Sequence, residues 1–371
     1  MEINSNVKSR LQFPAFYLFF IMYGAQTGVG IMGVPKYIFK EAKQDSWISI
    51  LLAYILLITI VSVMLVILKQ YENADIFGIQ VDIFGKWIGK LFGTIYILYF
   101  FFTLLSILLN YIEVIKVYLF PTISSFSMGL LFIILIIYCV LGGIRTIVGL
   151  TFFFVILSSW ILFPLYDPIT RMDWDHFVPM FHATVPELLK GTKATTYSIT
   201  GFELLFVIYP FIQNKEKIKL PLFLGLGYTI ISILIVTVIS IGYFSPLDLA
   251  DIDWATLNLF KNVSYSFIER LDNLIIFEWM MVILPNLVLH MWGMTYGMKR
   301  LYKISQKTTL YTASIITLIF ISFIKHDKDV TMLTDSIAQI GFWLLFVYPL
   351  ILLPIVLVKK KMRRPRAEVK K

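Results

Sequence analysis

The stretch "GAQTGVGIMGVP", Gly24 to Pro35, interrupts an apolar segment that begins near Phe13. It holds four glycines, a glutamine and a threonine. A glycine costs about 1 kcal/mol relative to alanine inside a helix. The stretch therefore weakens the helix in which it sits, and that helix is one that crosses a bilayer. The chain of 371 residues is 58% hydrophobic and only 15% charged, with a mean hydropathy of +0.82. Soluble domains carry about 25% charged residues. Apolar runs long enough to cross a hydrocarbon core recur along the whole sequence. The composition is that of an integral membrane protein. The first run follows a short polar stretch, Met1 to Gln12, without a small-residue cleavage site, and is read as a retained span.

Ten spans are expected, at about 13–39, 46–69, 91–119, 126–143, 147–166, 189–212, 218–244, 266–297, 308–325 and 334–358. They form a single transmembrane domain with five spans in each half, 13–166 and 189–358. Lysine and arginine set the orientation. With the N-terminus inside, inner segments hold 21 of the 32 basic residues and outer segments 11. Both termini are therefore expected in the cytoplasm. The same rule explains the net charge of +9 without nucleic acid. The basic tail 359–371 reads as a stop-transfer anchor able to touch anionic lipid. Segment 73–93 is too polar to span and reads as interfacial on the inner side. The longest outer loops, 167–188 and 245–265, carry Trp174, His176, Pro179, Asp248, Asp251, Asp253 and Trp254, and interfacial aromatics account for much of this. The lone cysteine, Cys139, excludes an intramolecular disulfide and sits in an apolar run that argues against a reactive thiolate.

A second weak helix lies in the sixth span, "ATTYSITGFELLFVIYPF", Ala194 to Phe211. Both weak points carry Thr-Gly, at Thr27-Gly28 and Thr200-Gly201, and both are followed by proline, Pro35 and Pro210. Interrupted segments at matching places in two halves point to an inverted-repeat fold. Unwinding frees backbone groups, which is tolerable only around a protein-lined cavity. Half-helix N-termini favour a carboxylate, and unwound carbonyls favour a cation or ammonium. The competing explanation is close packing through GxxxG, at Gly24/Gly28, Gly89/Gly93 and Gly293/Gly297. The symmetric Thr-Gly placement argues against it for Gly28 and Gly201. Gln26, Thr27, Gly28 and Gly30 of the first break, with Thr200, Gly201, Glu203 and Asn286, make up the candidate ligand-binding set.

Acids at membrane depth are costly and normally face an interior or a cavity. Glu203 follows the Gly201 break, where it can cap freed N–H groups or act in gating. Glu113 and Glu278 are expected as gating or structural acids, with Lys116 able to pair with Glu113 at i+3. Asp335 reads as an end-of-helix acid, and His290 as a packed core residue. Pro285 and Asn286 suggest a kink beside the cavity. No catalytic set appears. His176, His182, His290 and His326 lack metal spacing, and no HExxH, P-loop or nucleophile elbow is present, so neither an enzyme nor a cofactor or metal site is expected.

The chain resembles the B subunits of spore germinant receptors, a spore germination permease family of the amino acid/polyamine/organocation transporter superfamily. The resemblance rests on "GAQTGVGIMGVPKYI" in the first span, "DHFVPMF" between the fifth and sixth, and "TGFELLFVIYPFI" in the sixth. It implies a leucine-transporter-type bundle with a germinant site at its centre. It also implies a complex with A and C subunits in the inner membrane of the spore. The fifth span lacks the lysine that some proton-coupled relatives place there, and Ser158 and Ser159 are its polar pair. That absence favours a nutrient sensor over the alternative, an amino acid or amine permease.

Overall fold

The computed structural model describes residues 2–261, 263, 270–324 and 326–363. These residues form helices joined by short turns, with two isolated β-bridges, Asn4 to Ala74 and Phe13 to Ile212, and no strand. In chain order the helices are α1 Leu18–Gln26, α2 Gly30–Ala42, α3 Ser46–Lys69, α4 Ile76–Tyr118, α5 Ser125–Leu141, α6 Ile144–Ser158, α7 Tyr166–Thr170 and α8 Val185–Ser198. They continue with α9 Leu205–Ile208, α10 Lys219–Tyr243, α11 Pro246–Asp251, α12 Ala255–Lys261, α13 Leu271–Tyr302, α14 Gln306–Phe323, α15 Asp327–Gly341 and α16 Tyr348–Arg363. A π-helical stretch, Phe342–Val347, joins the last two.

Six helical stretches are long and apolar enough to cross a membrane: Gly30–Lys69, Ile76–Tyr118, Ile144–Thr170, Lys215–Tyr243, Leu271–Tyr302 and Asp327–Arg363. Shorter apolar helices cover Ala15–Gln26, Ser125–Leu141 and Phe202–Phe211. The expected ninth span, α14, falls outside both groups because its first turn, Gln306 to Thr309, is polar. The expected eighth span begins later than its periodicity suggests, at Leu271, and its residues 266–269 lie outside the described residues, as do Lys325, parts of the loop 245–265 and the tail 364–371.

Local chemistry sets the helix starts. The Asp75 carboxylate accepts the Gly78 N–H at 2.8 Å and caps α4. Thr184 and Glu187 form a capping box that opens α8, with Pro186 in its first turn. Segment 73–93, expected as one interfacial piece, is two. Gly85, with φ of 81°, turns the backbone sharply, a conformation that glycine adopts without penalty. The part before the turn packs back so closely that a Cβ on Gly89 would lie 2.6 Å from the Gln80 carbonyl oxygen. The part after it runs on as the membrane helix. The glycines of the second and third GxxxG pairs are packing positions: Gly93 and Gly297 face Phe77, and Gly293 faces Leu204 and Phe100. Helix α13 continues through Pro285 as one helix, with the proline inside it.

Two polar clusters close one end of the bundle. Asp75, fully buried, accepts from Ser5 Oγ at 2.8 Å, Tyr296 OH at 2.7 Å and Arg300 Nε at 2.7 Å. Asp82 accepts from Tyr71 OH at 2.9 Å and Arg363 Nη1 at 2.6 Å, while Lys359 donates to the Asp82 and Ile83 carbonyls. Lys360 lies 3.6 Å from the centre of the Tyr71 ring. Lys359, Lys360 and Arg363 of the basic tail are therefore engaged with protein. At the opposite end Asp45 accepts the Phe181 and Ala183 N–H groups at 2.7 and 2.8 Å, and fixes the loop that leads into α8.

Candidate functional site

The first expected span breaks between Gln26 and Gly30, and the sixth between Ser198 and Phe202. Beside both breaks lies a cavity of about 190 Å³. It is smaller than the roughly 300–1,000 Å³ of pockets for drug-sized ligands, and suits a molecule of amino-acid size. Three walls supply its polar groups. Tyr99, Thr103, Ser106 and Asn110 recur along one face of α4. Thr331, Thr334 and Asp335 do the same on α15, and Tyr197, Ser198 and Thr200 come from the second break. Asn110 Nδ2 donates to Thr334 Oγ1 at 2.9 Å, and Ser106 Oγ and Thr334 Oγ1 share a hydrogen bond of 2.8 Å. Val29 and Gly30, at the opening turn of α2, also line the cavity.

Of the expected ligand-binding residues, Gly30 and Thr200 line this cavity, and Gln26, Thr27, Gly28, Gly201, Glu203 and Asn286 do not. These six serve the breaks themselves. Gln26 Nε2 donates to the Ile199 carbonyl at 2.7 Å, and its Oε1 accepts from Thr229 at 3.0 Å, so this buried amide ties one break to the other. Thr27 Oγ1 donates to its own helix at Tyr23 O, 2.7 Å away. Asn286 Nδ2 donates to Ala25 O at 2.6 Å and Thr27 O at 3.4 Å, and Trp279 Nε1 to Gly28 O at 3.3 Å. Side chains of α13 thus satisfy the unwound carbonyls that were expected to await a cation or ammonium.

The second break is tighter. Gly201 has φ of +112°, and a Cβ there would lie 2.2 Å from Ala25 O. Its N–H donates to Glu203 Oε2 at 2.7 Å, the capping contact expected for this acid. The other carboxylate oxygen faces His290 Nε2 at 3.6 Å, both side chains being about 1% exposed. His290 is packed in the core, as expected, with Glu203 as its neighbour.

The remaining acids separate. Asp335 lines the cavity and is more than an end-of-helix acid. Glu113 and Glu278 do not line it. The expected Glu113–Lys116 ion pair is absent among the described residues, and Lys116 instead faces Ser125 Oγ at 3.4 Å. Ser158 and Ser159 both donate to carbonyls of their own segment, at Phe154 and Ile156. The missed lining residues had a signal in the sequence: hydroxyl and amide groups spaced i, i+4, i+7 and i+11 in the apolar run that holds Tyr99 to Asn110.

The loop that joins α11 to α12 borders the cavity. Trp254, between α11 and α12, lines it. Lys36 of α2, 7% exposed, donates to Asp251 O at 2.9 Å and pairs with Asp253 Oδ1 at 2.5 Å. Thr256 Oγ1 donates to Ile31 O at 2.8 Å. These bonds tie α2, the second half of the first broken segment, to this loop.

Known proteins share this architecture. A Na+-coupled sialic acid symporter in a substrate-bound outward-open state superposes with a TM-score of 0.67 at 13% identity, over 90% of this chain and 79% of that one. MhsT in complex with L-phenylalanine gives 0.56 at 14% identity, over 92% and 87%. The fold is thus that of leucine-transporter-type transporters. In sequence, spore germination protein GerQB of Bacillus cereus is 32% identical across 95% of this chain and 98% of its own length. Spore germination protein A2 of Bacillus subtilis (strain 168) is 22% identical across 96% and 99%. The spore permease family profile, described as spore germination protein, matches residues 12–330. The chain, a multi-pass helical membrane protein, belongs to the spore germination protein family.

Proposed function

We propose that this chain is the nutrient-binding subunit of a spore germinant receptor, and that it senses a small molecule such as an amino acid in the cavity between the two breaks. The observation that carries this reading is the cavity's lining. The opening turn of α2, at Val29 and Gly30, offers N–H groups and the positive helix end to a carboxylate. Asp335, in the same lining, offers a carboxylate to an ammonium group, and the hydroxyls of α4 and α15 complete the polar contacts. The role is binding rather than catalysis.

The rest of the reading follows the family. The chain has ten spans in two inverted sets of five, with both termini in the cytoplasm of the spore's inner membrane. It acts there with A and C subunits. The shared fold favours a second reading, an amino acid or amine permease. Against ion-coupled transport stands the use of the first break's carbonyls: Ala25 O and Thr27 O are bound by Asn286, and Gly28 O by Trp279. Proteoliposomes that hold the purified chain separate the two readings. A receptor subunit binds radiolabelled amino acid in detergent and gives no time-dependent uptake with or without a sodium or proton gradient. Gradient-driven accumulation inside the vesicles would establish the permease instead.

A further inference from the structure

We infer that Glu203 and His290 form a buried one-proton site, and that this proton secures the second break. His290 Nδ1 lies 2.9 Å from the Asn286 carbonyl oxygen. A carbonyl oxygen only accepts, so Nδ1 carries the hydrogen. In a neutral ring Nε2 is then a bare acceptor. It faces Glu203 Oε1, whose partner oxygen already accepts the Gly201 N–H. Neither Nε2 nor Oε1 has a hydrogen-bond partner. Without a proton between them, two acceptors face each other and one charge is buried, an arrangement that a dry interior does not sustain. One proton makes the pair neutral overall, whether as imidazolium with carboxylate or as imidazole with carboxylic acid.

The surroundings leave this role to the pair. Among the described residues, His290 is the one base within ion-pair distance of Glu203. The titratable groups that face it from α4 are the phenols Tyr96 and Tyr99. Tyr96 OH is directed at Leu344 O, at 3.3 Å. Phe100 packs edge-on against the imidazole with ring centres 5.8 Å apart. On the far side of Glu203, its bond to Gly201 adjoins Thr200, which lines the cavity. Loss of the proton leaves a net negative charge in the bundle core. Glu203 is then drawn toward water, and its hold on the Gly201 turn is released beside the cavity.

The site itself is read on the unliganded protein in nanodiscs, independently of any nutrient. At neutral pH, infrared and nitrogen-15 spectra should show one of two signals. One is a carboxylic-acid C=O band that vanishes in Glu203→Gln. The other is a doubly protonated imidazole that vanishes in His290→Gln. An ionised carboxylate together with a neutral imidazole overturns the inference, and this can be read on the wild-type protein even if a variant fails to fold. The coupling to the cavity rests on the nutrient-binding reading. There, Glu203→Ala, which leaves the Gly201 N–H and His290 without this partner, should weaken nutrient affinity at least tenfold at equal folded fraction. Glu203→Gln supplies an amide donor to His290 and an oxygen to Gly201, and so mimics the loaded pair. Its affinity should stay close to that of wild type. A tenfold loss in Glu203→Gln as well, or wild-type affinity in Glu203→Ala, would refute the coupling and leave the nutrient site standing.

Discussion

The two breaks carry the same Thr-Gly pair and are held in opposite ways. At the first, the freed carbonyls are bound by side chains of another helix, Asn286 and Trp279, and the glycine itself is under little constraint. Gly28 is not at positive φ, and a Cβ on it would make ordinary contact with Asn286 at 3.5 Å. At the second, the backbone conformation demands glycine, and the capping group comes from within the break, two residues on. A shared sequence signature thus conceals different physics. The first break is held by its neighbours, the second by its own strained turn.

The largest expected effect tests that contrast at the glycines. Gly201→Ala forces a side chain into a left-handed conformation and onto Ala25 O, and should destabilise by about 3 kcal/mol or more. Gly28→Ala should stay within about 1 kcal/mol of wild type. Thermal unfolding of the two purified variants in one detergent gives both values. Equal losses would remove the distinction between the breaks.

The next effect falls on the partner that holds the first break. Asn286→Leu leaves Ala25 O without its buried donor and Thr27 O without its weaker one, and should cost about 1–3 kcal/mol. Thr27→Val removes only a bond that the helix makes to itself, and should cost less than about 1 kcal/mol. If the order reverses in the same melting experiment, α13 is not what secures the unwound backbone.

A smaller effect concerns the loop around Trp254. Asp253→Asn removes the carboxylate that faces Lys36 at 2.5 Å and leaves the Asp251 carbonyl as its acceptor. Asp253 is largely exposed, so the loss of stability should be under about 1 kcal/mol. The cavity should nevertheless open more often. A cysteine placed at Thr103 in a Cys139→Ala background should react faster with a water-soluble thiol reagent when Asp253→Asn is added. Unchanged labelling would mean that the loop around Trp254 is fixed by other contacts.

The smallest effect lies at the far end, before the Gly85 turn, in the segment that the sequence reads as interfacial. Burial raises the Asp82 carboxyl, but bonds from Arg363 and Tyr71, with the charges of Arg363 and Lys359, outweigh it and hold the group below its ordinary range. A carboxyl lowered in the folded state contributes stability above its unfolded value, near pH 4, and loses it as pH falls through the folded value. Asp82→Asn should therefore lower the melting temperature at neutral pH, with the gap closing in acid. A gap independent of pH would assign the effect to packing.

Much of this fold was legible in the sequence because a bilayer leaves few choices. Apolar runs show a multi-pass helical bundle, and the two Thr-Gly interruptions mark where the first and sixth expected spans depart from a helix. The polar lining was harder to read. Tyr99, Thr103, Ser106 and Asn110 recur at helical spacing, but their direction depends on how α4 turns at Gly85 and packs on α13 and α15. The division of labour within the breaks was not legible at all. Gln26 and Asn286 look like ligand groups in one dimension, and only the approach of α8 and α13 to the first break engages the Gln26 amide and the Asn286 Nδ2. His290 and Glu203 lie in different spans, so no spacing could pair them.

The central claim is that the cavity beside the two breaks holds the nutrient. Ala338 lines it from α15 and is only partly buried, so a phenylalanine there reaches into the space without disturbing either break. Amino-acid binding to the purified chain, measured by equilibrium dialysis for wild type and Ala338→Phe at equal folded fraction, tests the claim directly. The account predicts saturable binding by wild type and at least a tenfold loss of affinity in Ala338→Phe. Binding of equal strength in both proteins would contradict it.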